Sequence, residues 1–126
     1  MTTKEVQIAG KTVALAYCYA TEIAFRDYTG QDINQFIASL MPDDDGNKPT
    51  ADPKKVLYAI LSAALAYAEN MEQECPLKDT DLMYLAKPGE LIEAFTAVIQ
   101  LRNEWYHVPE GEPKDKPSDE GDDAKN

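Results

Sequence analysis

The sequence has little of what most chemistry requires. One histidine, His107, stands among 126 residues. A catalytic imidazole needs a partner that orients it and surroundings that exclude water. His107 falls at the edge of a strongly polar stretch and reads as an exposed side chain. The two cysteines, Cys18 and Cys75, lie far apart, form no CxxC and have no histidine near them in sequence to act as a base. A bond between them is left open, but nothing argues for it, and a reduced cytoplasmic setting fits better. Ser39 and Ser62 fall inside predicted helices without the strand-to-helix turn of a nucleophile elbow. No GxxxxGK[ST] or GxGxxG run is present to cradle phosphate. No catalytic residue and no cofactor follow from these residues, and the chain is expected not to be an enzyme.

Long apolar runs are also missing. The opening MTTKEVQIAG lacks the apolar core of a signal peptide. Residues 56 to 68, the longest mainly apolar run, are too few and too alanine-rich to span a bilayer, and they read as a buried helix. Cations are the third shortage: 12 Lys and Arg against 23 Asp and Glu give a net charge of -11. That balance repels phosphate backbones and anionic membrane surfaces, so neither nucleic acid nor membrane is an expected partner. It favours solubility and partners with basic patches.

The acids themselves do not assemble a site. In residues 41 to 52, MPDDDGNKPTAD, alignment of Gly46 with the turn glycine of a calcium loop places Asp43 and Asp45 at the third and fifth positions. Met41 then occupies the first position, where it cannot ligate, and Asp52 the last, where a bidentate glutamate is expected. A solvated acidic turn is the better reading, and no metal is assigned. Glu69, Glu72 and Glu74 cluster at a helix end and read as a solvated face rather than the carboxylate pair of a glycosidase cleft.

What is present is helical periodicity behind a short β element. Residues 4 to 19 alternate as a hairpin, with Gly10-Lys11 as its turn. Val13, Leu15, Tyr17 and Tyr19 lie on one face, and Thr12, Ala14, Ala16 and Cys18 on the other. The second face is small rather than polar, which suits a helix packed closely on it. Thr21 is placed to cap a helix carrying Ile23, Ala24, Phe25 and Tyr28, which Gly30 stops. Ile33, Phe36, Ile37 and Leu40 form the stripe of a second helix. Asp52-Pro53 opens a third that runs to about Asn70, with Val56, Leu57, Ile60, Leu61, Ala64, Leu65 and Ala68 as one broad stripe. Ala59, Ala63 and Ala66 leave the rest of it nearly uncharged, the pattern of a helix central to the fold or part of an interface. Thr80 caps a short turn with Leu82, Met83 and Leu85. Pro88 opens the last helix, to about Tyr106, with Leu91, Ile92, Phe95, Val98 and Ile99 as its buried stripe.

Residues 107 to 126 hold seven acids and three lysines, a net of -4, which leaves -7 for residues 1 to 106. With three prolines and almost no apolar residues, this tail cannot bury enough surface to offset its ordering entropy, and it is expected to be disordered. The fold class is therefore α+β and predominantly helical: one domain over residues 1–106, an N-terminal β-hairpin followed by four to five helices, then a disordered acidic tail over 107–126. Aromatic side chains are the best candidates for protein binding. Tyr58 and Tyr67, nine residues apart, project from opposite sides of the third helix, with Tyr58 as the more exposed of the two. Trp105 and Tyr106 close the last helix, where Trp105 either folds back on the core or faces a partner.

Several short patterns resemble a known family. The hairpin carries IxGKxxxLxY through Ile8, Gly10, Lys11, Leu15 and Tyr17. The next helix ends in Tyr28-Thr29-Gly30. An xDIxxFI helix follows through Asp32-Ile33 and Phe36-Ile37, then LxxxLxAxL through Leu57, Leu61, Ala63 and Leu65. DLMYLAKPGELIEAF closes the fold. Over residues 4 to 104 the chain resembles the tail assembly chaperones of long-tailed phages and prophages. The resemblance implies a mainly helical fold with a small β element. It also implies a non-virion protein of the host bacterial cytoplasm that coats the tape measure protein before the tail tube polymerises, with tail-tube subunits as a second partner. Many members form homo-oligomers, and many are also made in a longer form by frameshifting near the end of the gene. The family brings no catalytic residues. The alternative on charge alone is an acidic decoy of a mobile element that binds a host protein. Such mimics spread their acids in rows, whereas here many fall in one loop and the tail.

Overall fold

A computed structural model describes residues 2–40 and 52–107. The acidic turn expected within residues 41–51 and the disorder expected beyond His107 lie outside them. The predicted order of elements is found: two strands, β1 (Thr3–Ile8) and β2 (Lys11–Ala16), precede five helices, α1 (Tyr19–Thr29), α2 (Ile33–Ala38), α3 (Pro53–Asn70), α4 (Asp79–Tyr84) and α5 (Pro88–Trp105).

The strands pair antiparallel with Val6 opposite Val13 and Ile8 opposite Lys11. That register moves the turn one residue from where the sequence put it. Its central residues are Ala9 and Gly10, with φ of 53° and 76°, the left-handed pair that a two-residue hairpin needs to match strand twist. Glycine adopts this region freely; alanine does so at a steric cost. The covered face of the hairpin also differs from expectation. Ile8, Val13, Leu15 and Tyr17 are buried in the core; on the small face Thr12 is exposed, Ala14 and Cys18 are half-buried and only Ala16 is buried, and Tyr19, expected with the large face, is exposed at the start of α1. The large face is the one the helices cover, α3 packing on β2 and α5 on β1.

Helix α3 is the centre. Ala59 through Ala64 are buried without interruption, followed by Ala66 and Ala68. Six consecutive buried residues cover more than one full turn, so mid-helix no side faces solvent. Its one buried hydroxyl, on Ser62, donates to the Tyr58 carbonyl at 2.6 Å, so no polar group is stranded there. Around this rod, Phe25 of α1 stacks on Phe36 of α2 with centroids 5.7 Å apart, and Phe36 meets Phe95 of α5 at 6.0 Å.

The ends marked by Asp52-Pro53 and Gly30 are found as expected, and Asp32 caps α2 where the sequence singles out no cap. The Asp32 carboxylate accepts from Asn34 N–H at 2.9 Å and Asp52 from Lys54 N–H at 3.0 Å, and Gly30 closes α1 at φ 76°. Thr21 and Thr80 are corrections, because both lie inside their helices. Helix α1 begins at Tyr19, and Thr21 reaches back from its first turn, accepting from Cys18 N–H at 3.2 Å and donating to the Ala16 carbonyl at 2.9 Å. Helix α4 begins at Asp79, with Asp81 accepting from Lys78 N–H at 3.0 Å.

The stripe of α5 is rotated from expectation. Ala94, Ala97, Val98 and Leu101 are buried, Leu91, Phe95 and Ile99 are half-buried, and Ile92 is 68 % exposed. On α1, Ile23 likewise points outward.

Two stability changes follow. Ala9→Gly relieves a left-handed alanine in the turn and is expected to raise the unfolding free energy by about 1 kcal/mol. Ala63→Leu forces three extra carbons into a helix surrounded on all sides and is expected to lower it by about 1–3 kcal/mol. Both are read from urea-unfolding midpoints, and an unchanged midpoint for Ala63→Leu contradicts the central position of α3.

Candidate protein-binding surfaces

Among the described residues, besides a hollow of about 360 Å³ lined by Tyr28, Leu61, Leu65, Cys75 and Leu77, two areas expose large apolar side chains. The larger is a groove of about 430 Å³ where the first turns of α3 and α5 meet α4. Pro53, Val56 and Leu57 form one wall, Leu82, Met83 and Ala86 the second, and Pro88, Leu91 and Ile92 the third. The floor residue Leu82 is buried, whereas Met83 and Ile92 stand 51 % and 68 % exposed at the rim. Tyr84 and Leu85, next in sequence to Met83, are exposed as well. Soluble domains seldom leave so many neighbouring large apolar side chains uncovered without a use for them.

The groove walls are positioned from the hairpin tip. Lys11 extends its ammonium to the Pro76 carbonyl at 2.8 Å and to Asp81 Oδ2 at 2.9 Å, tying the start of α4 to β2. Glu90 Oε1 accepts from Lys87 N–H at 3.0 Å and from Ala9 N–H at 3.1 Å, so one carboxylate caps α5 and holds the turn. Asp81 is held below the ordinary carboxylate range by the Lys11 hydrogen bond and then by Lys78 N–H. Glu90 is lowered by Lys87 N–H and then by Ala9 N–H.

The second area lies at the other end of α5. Tyr19 and Ile23 of α1 are 67 % and 61 % exposed, and the Tyr19 ring meets Trp105 edge-on with centroids 5.4 Å apart. Trp105 is thus neither fully packed nor free: one edge is braced, and 37 % of it remains exposed. A shallow hollow of about 240 Å³ beside it is lined by Tyr19, Glu22, Ile23, Arg26 and Asp32.

Tyr106 has a different task from its neighbour. Its hydroxyl donates to Glu22 Oε2 and accepts from Asn34 Nδ2 at 3.2 Å. Tyr17 donates to the same Glu22 oxygen at 2.8 Å, and Asn34 to it at 3.1 Å. Arg102 donates to Asn34 and lies over the Tyr106 ring, 5.2 Å from its centroid. Burial, and then the Glu22 carboxylate, push the Tyr17 hydroxyl well above its usual range; the Glu22 hydrogen bond comes first for Tyr106. Both tyrosines therefore stay neutral donors, and Tyr106 fastens the end of α5 to α1 and α2.

No family model, no curated protein and no solved structure matches this chain. Of the four aromatics singled out from sequence, Trp105 and Tyr106 are brought together at the end of α5. Tyr58 and Tyr67 stand apart from them, both half-buried. Tyr58, expected to be the exposed one, lies flat on Tyr28 with centroids 4.7 Å apart. Met83, Ile92, Tyr19 and Ile23 are not singled out as surface residues by the sequence, which places Ile92 in the buried stripe of the last helix, Tyr19 on one face of the hairpin, and Ile23 and Met83 simply as apolar members of their helices; all four are exposed. Cys18 and Cys75 are both free thiols; burial raises Cys75, whose Sγ lies 3.3 Å from the Leu77 carbonyl. Among the described residues no three His, Cys, Asp or Glu could hold a metal ion, and no helix is long and apolar enough to cross a membrane.

The carboxylate clamps give the acid limb of stability a definite sign. A folded-state pKa below the ordinary one stabilises the protein above the ordinary carboxylate range, and that contribution is lost as pH falls through it. Thermal melts between about pH 6 and pH 3 are expected to show a steeper fall for the natural chain than for Asp81→Asn. Equal slopes refute the Lys11–Asp81 clamp.

Proposed function

We propose that this protein is a tail assembly chaperone of a long-tailed phage or prophage, a non-enzymatic protein that works in the host bacterial cytoplasm by binding the helical tape measure protein. Tail-tube subunits are its second partner in this reading. The observation that carries the proposal is the open groove between α3, α4 and α5. Apolar side chains line all three of its walls.

A long amphipathic helix exposes apolar residues at i, i+3, i+4 and i+7, and recognition of such a stripe takes a groove of this kind. Met83 at the rim suits a repetitive client, because an unbranched thioether adapts to different side chains. A net charge of -11 keeps a complex that buries sticky surface soluble. The resemblance in residues 4 to 104 supports a tape measure protein as the client.

The test is co-expression with the protein of the next long reading frame, followed by pull-down and a solubility assay. The client is expected to be insoluble alone and to co-purify in soluble form with this chain. Met83→Ser with Ile92→Ser should reduce the co-purified client at least tenfold while the circular dichroism spectrum stays unchanged, since both side chains are exposed. A client that stays insoluble with the natural chain, or that binds the double variant equally well, overturns the reading.

A further inference from the structure

We infer that the ridge formed by Tyr84 and Leu85 at the end of α4 docks into the α3–α4–α5 groove of a second copy of this chain, so that two copies pair about a twofold axis and cover each other's grooves. Tyr84 is 80 % exposed and Leu85 60 %. Both stand in the chain between Met83 and Ala86, which line the groove. A hollow and a projecting apolar ridge are therefore neighbours on one surface, and within one copy the ridge does not fill the hollow.

A surface that holds a hollow and a projection side by side fits itself. A twofold rotation brings the ridge of each copy to the groove of the other, so one association makes the same contact twice. The loss of translational and rotational freedom is incurred once for both contacts. The area is of the required order. A large apolar side chain offers roughly 200 Å². Exposed fractions of 51 % for Met83, 80 % for Tyr84, 60 % for Leu85 and 68 % for Ile92 then leave about 500 Å² per copy before the groove walls are counted. With those walls it approaches the ~800 Å² per partner of a stable interface.

Charge at the rim favours the same occupant. Lys54 follows Pro53, Lys87 lies between Ala86 and Pro88, and Glu93 follows Ile92, so three exposed charges adjoin residues that line the groove. The rim carries both signs, as a surface that has to meet itself requires, whereas a partner of one sign meets repulsion along part of it. Over longer range two copies repel, because each carries a net charge of -11. Apolar contact holds the pair against that repulsion, and pairing strengthens as salt screens it. Paired copies hide their grooves until a client displaces one of them. That consequence rests on the chaperone reading; the pairing itself does not.

Sedimentation equilibrium of the full chain between about 1 µM and 300 µM tests the pairing. The natural chain is expected to pass from monomer to dimer, at least threefold more tightly in 500 mM than in 50 mM salt. Tyr84→Ser with Leu85→Ser removes the ridge, and Ile92→Ser alters the groove. Each should weaken self-association at least tenfold with an unchanged circular dichroism spectrum, since all three side chains are exposed. Ile23→Ser on α1 should leave it unchanged. An equimolar mixture of the ridge and groove variants regains one of the two seats and should associate at least threefold more tightly than either variant alone. A natural chain that stays monomeric, species larger than a dimer, a ridge variant that pairs normally, or a mixture no tighter than its components overturns the proposal. Co-expression with the client separates the two readings. The ridge variant keeps every residue that lines the groove and should capture at least as much client as the natural chain. Loss of capture by the ridge variant overturns the displacement of one copy by the client. Absence of client binding to every form overturns the chaperone reading and leaves the pairing in place.

Discussion

Everything else in the structure is arranged around one helix that has to be enclosed. The middle of α3 presents alanine, isoleucine, leucine and serine in an unbroken buried run, and its only buried hydroxyl is satisfied within the helix. Such a segment gains stability only if neighbours cover every side of it. The hairpin, α1, α4 and α5 do so. Because so many of its side chains are methyl groups, those neighbours come close, and small residues are favoured opposite them. That is why α5 turns Ala94 and Ala97 inward and leaves the larger Ile92 outside.

Enclosing the middle of α3 leaves its first turn short of cover. There the chain places short elements, α4 and the start of α5, and aims them with carboxylates that each do two things. Glu90 caps α5 and holds the Ala9 amide; Asp81 caps the start of α4 and binds Lys11. These links fix the walls of the groove without filling it. An acidic composition is thus partly structural. Negative side chains sit where helix N-termini present unpaired N–H groups, which is where they stabilise most.

At the far end of α5, two adjacent aromatics divide the work. Tyr106 turns inward to Glu22, Asn34 and Arg102 and fastens the helix end. Trp105 turns outward against Tyr19. A hundred degrees of rotation per residue is enough to give neighbours opposite roles, one structural and one on the surface. Exposed apolar side chains thereby stand toward each end of α5, Ile92 near its start and Trp105 at its close.

The sequence by itself determined the class and order of elements, the buried character of α3 and the ends marked by Gly30 and Asp52-Pro53. Each of these rests on local backbone chemistry or on a run long enough to show its period. It also directed attention to Trp105 and Tyr106 as residues beyond the main stripe. Tertiary structure decided the rest. Thr21 and Thr80 have the chemistry of a cap on either side of a helix start, so the first turn could be placed only once Ala16 and Lys11 had come near. Ala9 and Glu72 take left-handed φ without being glycine, and no local signal marks a turn of that kind. Ile23, Met83 and Ile92 satisfy helical spacing as well as true core residues do. Which side of an amphipathic helix is covered depends on the size of what packs against it, and that is a property of the neighbour's sequence, not of its own.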